Sequence, residues 1–198
     1  MTNDTVLKLV GHFKENRERF ITFCRSLSEE ELGRDVPDST YRVKDFVAHL
    51  GTLDTLLALQ FEALAAGRMQ SLGQDASGGS FDVDEYNDRV VAERRDWSLE
   101  QILEEAAVNR EGFLASLSRL TDEQIEQAVH FGGDNKRPPA DIAFKLFLRG
   151  LARHDAIHVA DMVKALPERA EEPQIKEWIN DRVVQWYQTT MAGPATST

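Results

Sequence analysis

The sequence predicts an all-α fold: a four-helix bundle with a long crossover between helices two and three, plus a C-terminal helix. Three observations predict it. Apolar residues recur at helical spacing along nearly the whole chain. No stretch of β-branched residues alternates with period two, so no strand is expected. The second and third periodic segments are joined by a connection from near Gly67 to Ser98. That is enough chain to run back along a bundle, so these two helices can be parallel neighbours.

The first helix carries the stripe Val6, Val10, Phe13, Phe20, Cys24 and Leu27. Ser28 with Glu31 then has the spacing of a capping box, as do Thr121 with Gln124 further on, and both predict short helical turns. The second helix has Val43, Phe46, Val47, Leu50, Leu53, Leu57 and Leu64 on one side and ends near Gly67. The crossover begins with the Gly/Ser-rich SLGQDASGGS and continues as the acidic, helical FDVDEYNDRVVAERRD. Ser98 and Gln101 cap the third helix, whose stripe is Leu99, Ile102, Leu103, Ala106, Phe113, Leu114, Leu117 and Leu120. Pro138 and Pro139 are expected to open the fourth, where a missing N–H costs little. Its stripe is Ala143, Leu146, Phe147, Gly150, Ile157, Met162 and Ala165. Pro167 and Pro173 bracket its exit, and a fifth helix from about Pro173 to Thr189 carries Trp178, Trp186 and Tyr187. Residues 1–190 are expected to form a single domain, and 191–198 a disordered tail.

Composition narrows the function. The chain of 198 residues has 23 basic and 34 acidic side chains, a net charge of −11. Such a surface repels phosphate backbones, so nucleic acid is excluded as a partner. No basic amphipathic run suggests a membrane surface, no apolar run is long enough to span one, and the N-terminus does not read as a signal peptide. A single cysteine, Cys24, rules out an internal disulfide and fits a reducing, cytoplasmic setting.

The histidines carry the chemistry. His154 and His158, in RHDAIHVADM, stand at i and i+4 on the apolar face of the fourth helix. Imidazoles turned into a core need partners for their nitrogens, which hydrogen bonds or a metal ion supply. His49, near the start of the second helix, falls at the same level if the two helices are antiparallel. Three neutral imidazoles suit zinc, nickel or iron and leave a coordination position open. Such a site should release its metal as pH falls below about 6.5, the ordinary imidazole pKa. HDAIH also resembles the zincin motif with Asp155 in the position of the base, but aspartate is one methylene short and no strand is expected to hold a peptide. His12 and His130 are read as non-ligands, and Cys24 as a core thiol.

YRVKDFVAHL, DEYNDRVVAER, WSLEQILEEA and HDAIH followed after one residue by ADM occur here in that order. From about Thr5 to Ala165 the chain thereby resembles the DinB-like superfamily, and within it the metal-binding domain of mycothiol-dependent maleylpyruvate isomerases. The resemblance implies a four-helix bundle with the crossover and a metal site on His49, His154 and His158. It implies thiol-dependent chemistry, since relatives include S-transferases that use mycothiol or bacillithiol. Only one helix and a tail follow Leu166, where those isomerases carry a further domain, so thiol transfer to a small electrophile stands ahead of isomerisation and hydrolysis. A non-catalytic metal-binding stress or binding protein is the alternative. Zn2+ or Ni2+ is the expected metal. Asp161 and Asp45 are candidates for orienting the imidazoles, and Tyr86, Asn87 and Trp178 for lining the pocket. The expected partners are a small-molecule substrate, a low-molecular-weight thiol foremost, with a homodimer compatible with the chain.

Overall fold

The computed structural model describes residues 4–67, 71–73 and 81–190. The chain is mostly helical, with α1 (Asp4–Arg25), α2 (Glu29–Leu32), α3 (Val43–Ala65), α4 (Val83–Glu93), α5 (Leu99–Leu117), α6 (Asp122–Glu126), α7 (Phe144–Leu151), α8 (His154–Met162), α9 (Pro173–Ile179) and α10 (Arg182–Thr190). All three capping boxes form: Ser28 with Glu31, Ser98 with Gln101 and Thr121 with Gln124 start α2, α5 and α6. Gly67, just past α3, adopts φ +65°, the left-handed conformation that ends helices readily on glycine. The Gly/Ser-rich stretch lies largely, and the tail 191–198 wholly, outside the described residues.

Four expectations need correction. A small sheet exists: β1 (Ser71–Leu72) pairs parallel with β2 (Ala128–Phe131), which pairs antiparallel with β3 (Ala140–Ala143). Pro138 and Pro139 belong to the loop between β2 and β3, not to a helix start. The fourth helix is two helices, because the backbone tightens at Ala152–Arg153, where the Arg153 N–H donates to Gly150 O at 2.9 Å. Phe144 and Leu148 carry the buried face of α7, and Leu146 is 64% exposed. The fifth helix is also split, because Asp181 accepts from the Val183 and Val184 N–H groups at 2.8 and 3.4 Å and starts α10 afresh.

Contacts fix the directions of the long helices. Along α3 and α5, Lys44 meets the Arg95 carbonyl, Gly51 faces Ala106, Asp54 meets Arg110 and Glu62 meets Arg119, so the two run parallel. A side chain at Gly51 would come within 2.9 Å of Ala106 Cβ, and the missing one lets the two helices close up. Phe46 lies against His158 and Phe61 against Phe144, so α7 and α8 run antiparallel to α3. Tyr86 reaches Thr52 and Lys44 reaches Arg95, so α4 travels back along α3 toward its start.

The core forms two clusters. One holds Phe20 and Phe23 of α1, Val47 and Leu50 of α3, Ile102 of α5 and Ile157 of α8. The other holds Phe13, Phe61, Phe113 and Phe144. Between them each of four helices places one buried charge: Arg17 on α1, Asp54 on α3, Arg110 on α5 and Asp155 on α8. Arg17 donates to Asp155 through Nε and Nη2, both at 2.9 Å, and its Nη2 lies 3.3 Å from Asp54 Oδ2. Arg110 Nε donates to Asp54 Oδ2 at 2.9 Å. Burial pushes the Asp155 carboxyl up, and Arg17 and Arg110 more than reverse it, so the group is held as a carboxylate. Removing one member strands its partner in a dry interior. Arg17→Ala should therefore lower stability in urea unfolding by about 3–5 kcal/mol, whereas replacing all four charges with apolar residues of similar volume should cost less. A loss below about 1 kcal/mol for Arg17→Ala would mean that the layer is wet.

Candidate metal centre

α3 and α8 bring three histidines together. His49 lies on the second turn of α3, and His154 and His158 share one face of α8. Ring centroids are 5.7 Å apart for His49 and His154, 5.0 Å for His49 and His158, and 4.6 Å for His154 and His158. One nitrogen from each ring lies within 4.8 Å of the others, so the triad could hold a metal ion. His154 Nε2 and His158 Nε2 are 3.2 Å apart. Two nitrogens held tetrahedrally by zinc at about 2.0–2.1 Å would be roughly 3.3–3.4 Å apart, so the pair is spaced for a shared ion. His49 Nδ1 is buried without a hydrogen-bond partner, a state a buried polar atom rarely keeps unless something else takes it up.

The surroundings favour neutral imidazoles. Burial, with the neighbouring His158, lowers the His49 pKa to about 3, against the opposing effect of Asn87. The enclosing protein, with His158 and His49 beside it, pushes His154 well below the ordinary range. His158 Nδ1 lies 3.3 Å from Asp161 Oδ2. When that nitrogen donates to the carboxylate, Nε2 carries the free lone pair and faces His154. Although burial pushes Asp161 up, the hydrogen bond and charge of His158, then Lys164 and Gln188, hold its carboxyl at about 2.

The other predicted site residues divide. Asn87 lies beside His49 and opposes the lowering of its pKa. Tyr86 Oη donates to Thr52 O at 3.1 Å, and Thr52 Oγ1 donates to His49 O at 2.9 Å, so the returning limb is fastened one turn beyond the triad. Asp45 instead serves the start of α3, where its carboxylate accepts from the Arg42 N–H at 2.8 Å. Trp178 is 4% exposed and packs edge-on to Phe23 in the apolar cluster of this end. Asp155 is spent on Arg17 and is no general base. Cys24 is buried, and burial raises its thiol well above the usual range, which suits an inert core group. His12 is exposed, and His130 pairs with Asp141 on the sheet. Reading the sequence missed Gln188 and Lys164, which share Asp161 Oδ1 at 3.0 and 2.8 Å.

The profile of the mycothiol maleylpyruvate isomerase N-terminal domain family matches residues 13–162, the segment that holds all three histidines. The chain belongs to this family. Two crystal structures share the fold of this family member: the mycothiol-dependent maleylpyruvate isomerase at TM-score 0.56, and a histidine-to-alanine mutant of it at 0.57. Each is 10% identical over 82% of this chain, and the match spans 63% of the length of the isomerase chain. The comparison with curated proteins gives no match. Among the described residues no helix is long and apolar enough to cross a membrane.

The depressed imidazoles have a consequence for acid stability. In the unfolded chain histidine takes a proton near pH 6.5, while His49 in the folded, metal-free protein does so only near 3. The unfolded state therefore binds more protons between these values, and stability present above 6.5 is lost as pH falls toward 3. The slope should be about 1.4 kcal/mol per pH unit for each such imidazole. Urea midpoints of the metal-free protein should fall steadily from pH 6.5 to 4, and less steeply in His49→Gln. By the same sign, protons displace a metal from the folded site only below the ordinary imidazole range. A flat midpoint across that interval would contradict the buried, neutral state of His49.

Proposed function

We propose that this chain is a metal-dependent enzyme that activates a low-molecular-weight thiol and transfers it to a small electrophile. The observation that carries the reading is the convergence of His49, His154 and His158, with a buried His49 nitrogen free of any hydrogen-bond partner. Zn2+ or Ni2+ suits three imidazoles, and either, when bound, supplies Lewis acidity that lowers the pKa of a thiol. The residues do the rest. His49, His154 and His158 hold the ion, Asp161 orients His158, and Asn87 lies beside His49. Phe46, tilted against His158 with ring centroids 5.3 Å apart, keeps water from one side of that ring. The family match supports a thiol as co-substrate. The arrangement of α1, α3, α5 and α7–α8 supports a four-helix bundle with the crossover between α3 and α5.

One observation favours a second reading, a non-catalytic metal-binding protein. Two surface clefts among the described residues, one lined by 132–139 and one by Trp97, Gln101, Glu104, Glu105 and Val108, have no histidine in their walls. Metal analysis and a thiol screen separate the readings. Purified protein should contain about one divalent ion per chain, and His49→Ala, His154→Ala or His158→Ala should lose it. The loaded protein should consume mycothiol or bacillithiol in the presence of a small electrophile, and the His158→Ala rate should equal the uncatalysed one. Full metal content in the histidine variants would refute the site. Metal binding without thiol turnover would favour the second reading.

A further inference from the structure

The family match ends at residue 162, yet the chain continues into α9 and α10. This segment contacts α8 near both ends. Before His154, Arg153 Nε donates to Asp181 Oδ2 at 3.0 Å, and the same Asp181 starts α10. Beside His158, Gln188 Nε2 on α10 donates to Asp161 Oδ1 at 3.0 Å and reaches Ile157 O at 3.4 Å. Ile175, Trp178 and Val184 anchor α9 and α10 in the apolar cluster of the histidine end. Asp161 is thus held at both oxygens: Oδ2 faces His158 Nδ1, and Oδ1 takes Gln188 and Lys164.

We infer that α10 is a working part of the metal centre, with Gln188 a positioning residue that fixes Asp161, which in turn fixes the His158 ring. A carboxylate on a surface helix samples several rotamers, and each turns the imidazole it binds. Gln188 removes that freedom by holding Oδ1 while Oδ2 faces the ring. Lys164 is an exposed, flexible ammonium three residues along the chain and constrains the carboxylate less. The inference rests on the proposed three-histidine site and adds a segment beyond the family domain to it.

A double-mutant cycle tests it. Zinc affinity is measured by chelator competition, and the visible spectrum is recorded after cobalt loading. The proteins are the full chain, Gln188→Met, Asp161→Asn, both together, and Gln185→Met as a control on the exposed face of α10. Gln188→Met should weaken zinc binding by about tenfold and shift the cobalt bands. Asp161→Asn should weaken it at least as much, and the double variant no further, because Gln188 acts through Asp161. Gln185→Met should change neither readout. Unchanged affinity and spectrum in a folded Gln188→Met protein would overturn the inference, as would additive losses in the double variant. If Gln188→Met does not fold, Gln188→Asn, whose amide is one methylene short, is read the same way. A full chain that binds no zinc overturns the three-histidine reading and this inference with it, whereas zinc binding with an additive cycle overturns this inference alone.

Discussion

Four charges, one from each of α1, α3, α5 and α8, meet inside this protein, and the placement of the helices follows from their pairing. Arg17 with Asp155 and Arg110 with Asp54 are buried beyond the reach of bulk water. A charge in that position is tolerated only with a partner in good geometry, so the layer admits one rotation and one height for each helix. Apolar contact alone would not be so selective, because Phe, Leu and Val pack acceptably in several registers. The layer divides the core into two clusters and fixes how they stack.

The histidine site inherits its geometry from that layer. Successive residues on a helix point about 100° apart. With Asp155 turned toward Arg17, its neighbour His154 is turned toward α3, and His158 lies one turn further on the same face. On α3, Asp54 is likewise locked, which sets the height of His49 against α8. The close approach at Gly51 and Ala106 holds α3 against α5 at the same level. The three imidazoles therefore meet because residues that ligate nothing have already fixed the two helices that carry them.

The parts legible in the sequence are those with local signatures. Ser98 with Gln101 or Thr121 with Gln124 satisfies backbone groups within one turn, so neighbouring residues suffice to place those helix starts. The i, i+4 spacing of His154 and His158 is also local, and His49 joins them through its place near a helix start. The sheet escaped notice because AVHF and ADIA are too short to display a period, and each is a strand only because the other lies beside it. The split at Asp181 turns on one carboxylate capping a helix within a run that otherwise reads as continuous. The charged layer was visible in principle. Arg17 falls in phase between Phe13 and Phe20, and Arg110 between Ala106 and Phe113. A lone charge in a stripe reads as an interruption until its counter-charge is found, and the partner of Arg17 is 138 residues away. Gln188 was illegible for the same reason, since nothing near it in the chain marks it as facing Asp161.

That separation bears on how the chain emerges from the ribosome. α1 is complete long before Asp155 is synthesised, so its apolar stripe must wait in water with its partner unmade. Arg17 interrupts the stripe between Phe13 and Phe20, and in the waiting chain it is a solvated cation that discourages sticking to other nascent chains. Once α8 arrives, the same guanidinium becomes half of the buried pair. Long-range closure of this kind slows folding, because the entropy of joining distant segments is lost before their contacts repay it. One arginine thus serves two successive states of the polypeptide: as a guard against aggregation while the chain is incomplete, and as an internal fastening once it is whole.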